Sequence, residues 1–177
     1  MGAMLVCGLV ANAQFILTPQ VGATLSTLTD TDNNKMKVGI VAGANLEYPV
    51  TAALSFSGGL LYSMQGTKIK DEDDAIKMDY LNIPVLAQYK IADGFKIKAG
   101  VQPGFLMSAK KGSKDLKDED ECKTFDLSIP MGISYEFSDF VIDARYNLGL
   151  TKTNKKEDDK SIKNSVFMLT LGYNIPF

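Results

Sequence analysis

From residue 15 onward apolar and polar side chains take turns along eight stretches of the chain, near 15–25, 37–48, 53–64, 79–91, 95–107, 124–137, 140–150 and 165–177. No segment of useful length repeats with the period of a helix. Alternation with period two is the signature of a strand with two unlike faces. Within 124–137 one face reads Phe125, Leu127, Ile129, Met131, Ile133, Tyr135, Phe137, and the other reads Asp126, Ser128, Pro130, Gly132, Ser134, Glu136. These strands are longer than the usual soluble strand of about 5–6 residues. At about 3.3 Å per residue and a tilt near 45°, about ten residues cross a bilayer core.

The connections fall into two classes that alternate along the chain. Tyr48-Pro49-Val50-Thr51, Ala92-Asp93-Gly94 and Ser138-Asp139 are short and carry the chemistry of tight turns. The connections at 26–36, 65–78, 108–123 and 151–164 are long and polar. Such a rhythm predicts an all-β fold: an eight-stranded antiparallel up-and-down transmembrane β-barrel, with short periplasmic turns and four long extracellular loops.

Charge decides between lipid and water. Of the 40 charged residues most lie in the long connections, and only eight fall within strands: Glu47, Lys90, Lys96, Lys98, Asp126, Glu136, Asp143 and Arg145. All eight share the polar face. The apolar face carries no charge and takes every aromatic except Tyr80. A soluble lipocalin-like barrel is also up-and-down, but its apolar face lines a ligand cavity and its water-facing wall is rich in Lys and Glu. Here the polar face is mostly Gly, Ser, Thr, Asn and Gln, which suits a narrow lumen. The apolar face suits hydrocarbon, where an Arg or Lys costs about 2–4 kcal/mol at the midplane. Tyr48, Tyr89, Phe95, Phe137, Phe140 and Phe177 gather beside the short turns, and Tyr62, Phe105, Phe125 and Phe167 near the long ones, as two interfacial girdles.

Composition removes several chemistries. The sequence of 177 residues contains no histidine, which excludes Ser-His, Cys-His and His-metal sites together. A net charge of −2 gives no nucleic-acid surface. Residues 1–13 are uncharged and end in Ala11-Asn12-Ala13, a small-x-small cleavage pattern. They read as a remnant secretory signal peptide, leaving 14–177 as the outer-membrane β-barrel domain. Val6 is too large for the residue preceding a lipidated cysteine, so Cys7 is not read as an anchor. With Cys7 removed, Cys122 has no internal disulfide partner.

The final residues Thr170-Leu171-Gly172-Tyr173-Asn174-Ile175-Pro176-Phe177 resemble the C-terminal assembly signal of outer-membrane barrels, with Thr170, Gly172, Ile175 and Phe177 in the motif positions. That resemblance implies recognition by the barrel-assembly machinery. With Ala13-Gln14, Tyr80-Leu81-Asn82-Ile83-Pro84-Val85-Leu86-Ala87 and Val101-Gln102-Pro103-Gly104, the mature chain resembles the small "porin family", PorT-like outer-membrane barrel group of Bacteroidetes. The group's likeness implies fold and membrane, and says little of activity.

Eight strands enclose a lumen just filled by side chains, so diffusion through it is not expected. The eight inward charges, four of each sign, must be paired to survive burial. The expected arrangement is a lumenal network around Arg145, with Glu136 and Asp143 nearby and Lys96 and Lys98 reaching acids on adjacent strands. An ion path or a catalytic acid pair is the alternative. The acid runs Asp71-Glu72-Asp73-Asp74 and Asp118-Glu119-Asp120-Glu121 are read as solvated loops rather than Ca²⁺ sites, since neither has EF-hand spacing. Loop lysines, among them Lys152, Lys155, Lys156, Lys160 and Lys163, are placed to meet lipopolysaccharide phosphates. The reading is an integral outer-membrane protein with no enzymatic activity, cofactor or metal, in contact with outer-membrane lipid and acting structurally or through its surface loops. An accessory role in a larger envelope complex for secretion or uptake is the second reading. A barrel lipid hydrolase or acyltransferase is a third, and a soluble ligand-binding barrel a fourth.

Overall fold

The computed structural model describes residues 15–28, 34–69, 75–111, 114–115, 124–152 and 163–177. The expected leader over 1–13, Cys7, Cys122 and both acid runs lie outside the described residues. Eleven hydrogen-bonded segments follow in chain order: β1 (Ile16–Leu28), β2 (Asn34–Pro49), β3 (Leu54–Ile69), β4 (Ala75–Asn82), β5 (Val85–Ala92), β6 (Phe95–Lys111), β7 (Lys114–Asp115), β8 (Phe125–Phe137), β9 (Phe140–Lys152), β10 (Lys163–Tyr173) and β11 (Ile175–Pro176). They make eight staves, because β5 continues β4, β11 continues β10, and β7 only pairs with the end of β6. All neighbours are antiparallel. β1 closes the ring by pairing with β10, from Gln20 opposite Gly172 to Leu28 opposite Asn164. Closure pairs each of the eight staves on both sides, which is the condition for strands to cross hydrocarbon.

Two features depart from the strand limits read in the sequence. The stretch 79–91 opens at Ile83-Pro84, where proline has no N–H for the ladder. Register survives the break, with Leu61 opposite Asn82 and Gly58 opposite Val85. The Ile83 N–H donates to the Pro103 carbonyl at 2.8 Å and the Gly59 N–H to the Pro84 carbonyl at 3.0 Å. Strands also run further than expected on the long-connection side: Lys35 pairs with Lys68, Thr67 with Ile76, and Ile76 with Lys111. Alternation marks a strand only while its faces meet different media. Backbone pairing carries no such requirement, so the ladder continues after the pattern stops.

The short turns lie where the sequence placed them. Val50 and Thr51 donate backbone N–H groups to the Leu54 carbonyl at 2.9 and 3.0 Å, and Thr51 Oγ1 accepts the Leu54 N–H at 2.9 Å. Gly94 takes φ of 79°, a conformation open to glycine without a Cβ penalty.

Parity sets the two faces. Phe125, Ile133 and Leu171 are 45, 54 and 50 % exposed on the outer wall, whereas Arg145 is 2 % exposed inside. An inside-out lipocalin arrangement is thereby excluded. Aromatic pairs ring the short-turn end, with Phe95–Tyr135 centroids at 4.6 Å and Phe15–Tyr48 at 5.2 Å. Phe105–Phe125, at 5.6 Å, lies toward the other end of the wall.

Candidate functional site

The lumen is built from large side chains facing glycines across the ladder. Gly43 stands opposite Leu61, Gly100 opposite Leu86, and Gly132 opposite Arg145. A Cβ on Gly132 would come within 2.3 Å of the Ala144 carbonyl oxygen. This pairing of large with small lets eight staves close around bulky groups.

Charged side chains gather toward the short turns. Lys96 Nζ on β6 lies 2.7 Å from both Glu47 on β2 and Glu136 on β8. Lys98 Nζ, two residues along β6, lies 2.5 Å from Asp143 on β9. Asp143 Oδ1 is in turn 3.2 Å from Arg145 Nη2. The first group carries one cation and two carboxylates, the second two cations and one carboxylate, so together they are neutral. Burial makes that balance a requirement, since an unpaired ion in a low dielectric costs several kcal/mol.

The geometry differs in detail from the arrangement read in the sequence. Glu136 pairs with Lys96, not with Arg145. Lys96 meets the expected acid on an adjacent strand, Glu136 on β8, and also reaches Glu47 across the lumen, whereas Lys98 reaches past β8 to Asp143 on β9. Lys90 lies outside the network: it is half exposed at the rim, 2.9 Å from Asp93. Its hydrogen bond there holds the Asp93 carboxyl below the ordinary carboxylate range. Asp126 stands apart toward the long-connection end, accepting a short hydrogen bond from the Thr151 hydroxyl. Glu136 and Asp143 each face a cation, Lys96 and Lys98, rather than each other, so a catalytic acid pair is not assembled between them.

Amides and hydroxyls, placed on the lumenal face by the sequence but without partners named there, complete the interior. Gln88 Nε2 donates to Ser57 at 2.7 Å, Asn82 Nδ2 to Ser63 at 2.7 Å, and Thr18 Oγ1 to Asn174 at 2.7 Å. Inward parity alone would have found them. Val41, Leu61, Val166 and Met168 form a dry cluster deeper along the staves. Between Gln20, Asn45, Glu47, Gln88, Lys98 and Glu136 the remaining cavity is about 10 Å³, at the lower limit of room for one water. No channel or ligand pocket is left at this point. Among the described residues no cluster of acidic or thiol side chains could hold a metal ion.

The assembly-motif residues sit on the last stave. Thr170 is buried and its hydroxyl lies 3.2 Å from Gln20 Oε1. Gly172 faces inward against Thr18, while Ile175 and Phe177 are exposed on the outer wall.

Residues 12–155 match the outer membrane protein beta-barrel domain family. None of the curated proteins matches the chain by sequence. Several solved structures share the fold. Neisserial surface protein A is 14 % identical over 91 % of this chain and 97 % of its own, with a TM-score of 0.57. Ail, the attachment invasion locus protein of Yersinia pestis, is 13 % identical over 92 % of this chain and 99 % of its own, with a TM-score of 0.54. The outer membrane enzyme PagL is 14 % identical over 90 % of this chain and 99 % of its own, with a TM-score of 0.50.

Proposed function

We propose, for a chain that belongs to the outer membrane protein beta-barrel domain family and is integral to that membrane, a role in surface interaction carried by its long connections, with the barrel as a closed stand. The observation that carries this reading is the filled lumen. Arg145, 2 % exposed, is tied through Asp143 to Lys98, and the buried side chains of Val41, Leu61, Val166 and Met168 cluster further along the interior. A transport role needs a path, and a catalytic role needs an activated group. The charge-paired lumen offers neither, and the absence of histidine removes the usual base. PagL shows that the fold alone does not decide this, so the reading rests on this chain's own side chains. The purified, refolded protein should give no unitary current steps in a planar lipid bilayer. Reproducible steps abolished by an unfolding pre-treatment would overturn the closed lumen.

The resemblance of Tyr80–Ala87 and Val101–Gly104 to PorT-like barrels of Bacteroidetes supports a second reading, as the accessory subunit of an envelope complex for secretion or uptake. Solubilisation in mild detergent separates the two. A stoichiometric partner favours the accessory role, and a lone barrel the surface role. Lipopolysaccharide is the outer-leaflet lipid that the lysine-bearing connections would meet in either case.

Thr170, Gly172, Ile175 and Phe177 are proposed as the signal read by the barrel-assembly machinery. Phe177→Ser should lower the folded protein recovered from the outer membrane several-fold, yet leave refolding in detergent unchanged. Equal loss in both settings would make Phe177 a packing residue, through its ring stacked on Phe15 at 6.4 Å.

A further inference from the structure

The outer wall dips beside the closure seam. One row of the register runs Ile142, Leu171, Val21, Ala42, Tyr62. One step toward the short turns, Phe140 stands opposite Tyr173, and Pro19 opposite Ala44 opposite Leu60. Side chains therefore shrink from Leu171 and Tyr173 to Pro19, Val21, Ala42 and Ala44, and rise again at Leu60 and Tyr62. The dip is a groove of about 450 Å³ walled by Phe140, Leu171 and Tyr173 over Pro19, Val21 and Ala42. This volume falls inside the roughly 300–1,000 Å³ of sites that hold small molecules. Phe140 and Tyr173 meet edge to face at 5.3 Å, which fixes the wall. At its short-turn end the Tyr173 hydroxyl donates to Asp139 Oδ2 at 3.4 Å. Asp139 is exposed in the turn and forms no ion pair among the described residues.

We propose that this groove seats one acyl chain of a phospholipid from the leaflet at the short-turn end, with the lipid's ammonium headgroup on Asp139. The groove belongs to a wall that already meets hydrocarbon, so the surrounding leaflet supplies its occupant continuously. Ridges on both sides would hold a second barrel off the floor and leave a void, whereas a single chain can follow the dip and restore the missing dispersion contacts. The carboxylate at the mouth adds selectivity. It attracts the ammonium of a primary-amine headgroup by charge, whereas a glycerol headgroup on a lipid of the same chain length offers only neutral hydroxyls.

The probe is a nanodisc of equimolar phosphatidylethanolamine and phosphatidylglycerol with identical chains, from which the protein is released and weighed intact with its retained lipid. Wild type should keep one lipid, enriched about threefold to fivefold in the amine class, the scale of a solvent-accessible ion pair. Asp139→Asn should keep the lipid and lose the enrichment. Ala42→Phe should lose the lipid while the barrel keeps the heat-modifiable gel mobility of a folded one. Equal retention by wild type and Ala42→Phe would overturn the groove as the site. Enrichment that persists in Asp139→Asn, or is absent from wild type, would overturn the headgroup assignment.

Discussion

Asp143→Asn should lower the unfolding free energy of the barrel by about 3–5 kcal/mol, the cost of breaking a buried ion pair on one side only. The substitution keeps shape and removes one charge. It leaves Lys98 and Arg145, both almost wholly inside the lumen, without the carboxylate that stood 2.5 and 3.2 Å from them. Arg145 has no slack to absorb the loss, since its Nε and Nη1 already find no partner within the described residues. Arg145→Met makes the opposite case. It leaves Lys98 paired with Asp143 and strands no cation without a carboxylate, and should cost less than Asp143→Asn. Replacing Lys98, Asp143 and Arg145 together by apolar residues should recover part of the loss, because no cation is then left beside a missing carboxylate, while Lys96, Glu47 and Glu136 lose the positive charge that balanced them. Urea titration of the refolded protein in detergent, followed by the gel shift between folded and unfolded forms, reads all three. An Asp143→Asn variant within about 1 kcal/mol of wild type would show that the two cations do not depend on the Asp143 charge.

Met131→Arg, a lipid-facing change at the middle of β8, should cost about 2–4 kcal/mol in a bilayer. The Met131 side chain is 46 % exposed on the outer wall, with nothing inside the barrel within reach of a guanidinium placed there. The same change at Phe137, at the short-turn end of the strand, should cost only about 0–1 kcal/mol, because the charge then reaches the interface. Depth dependence is the informative readout. Twelve residue steps separate Phe125 from Phe137, which at about 3.3 Å each and a tilt near 45° project to roughly 28 Å, close to the height of a hydrocarbon band. Equal costs at both positions in phospholipid vesicles would mean that the wall does not lie in a membrane at all.

Both predictions descend from one alternation, and its reach can be followed residue by residue. In β8, parity alone separated Phe125, Ile133 and Tyr135 from Asp126, Ser134 and Glu136, and the coordinates keep that division. Tyr80, the one aromatic on the polar side, is buried in the lumen. Lys90 was misplaced because parity gives a direction but no depth. Its side chain points inward by alternation, yet it lies so near the Asp93-Gly94 turn that water and Asp93 claim it first.

Which side chains face lipid and which face the lumen was settled by the sequence, as were the positions of the short turns, because a two-residue period and turn chemistry are local properties of the chain. Which inward charge meets which was decided only by closure. Lys98 finds Asp143 two staves away and Lys96 finds Glu47 across the lumen, since the stagger at which β1 meets β10 fixes the height of every residue relative to the far wall. That stagger is a property of the closed ring, and no single strand carries it.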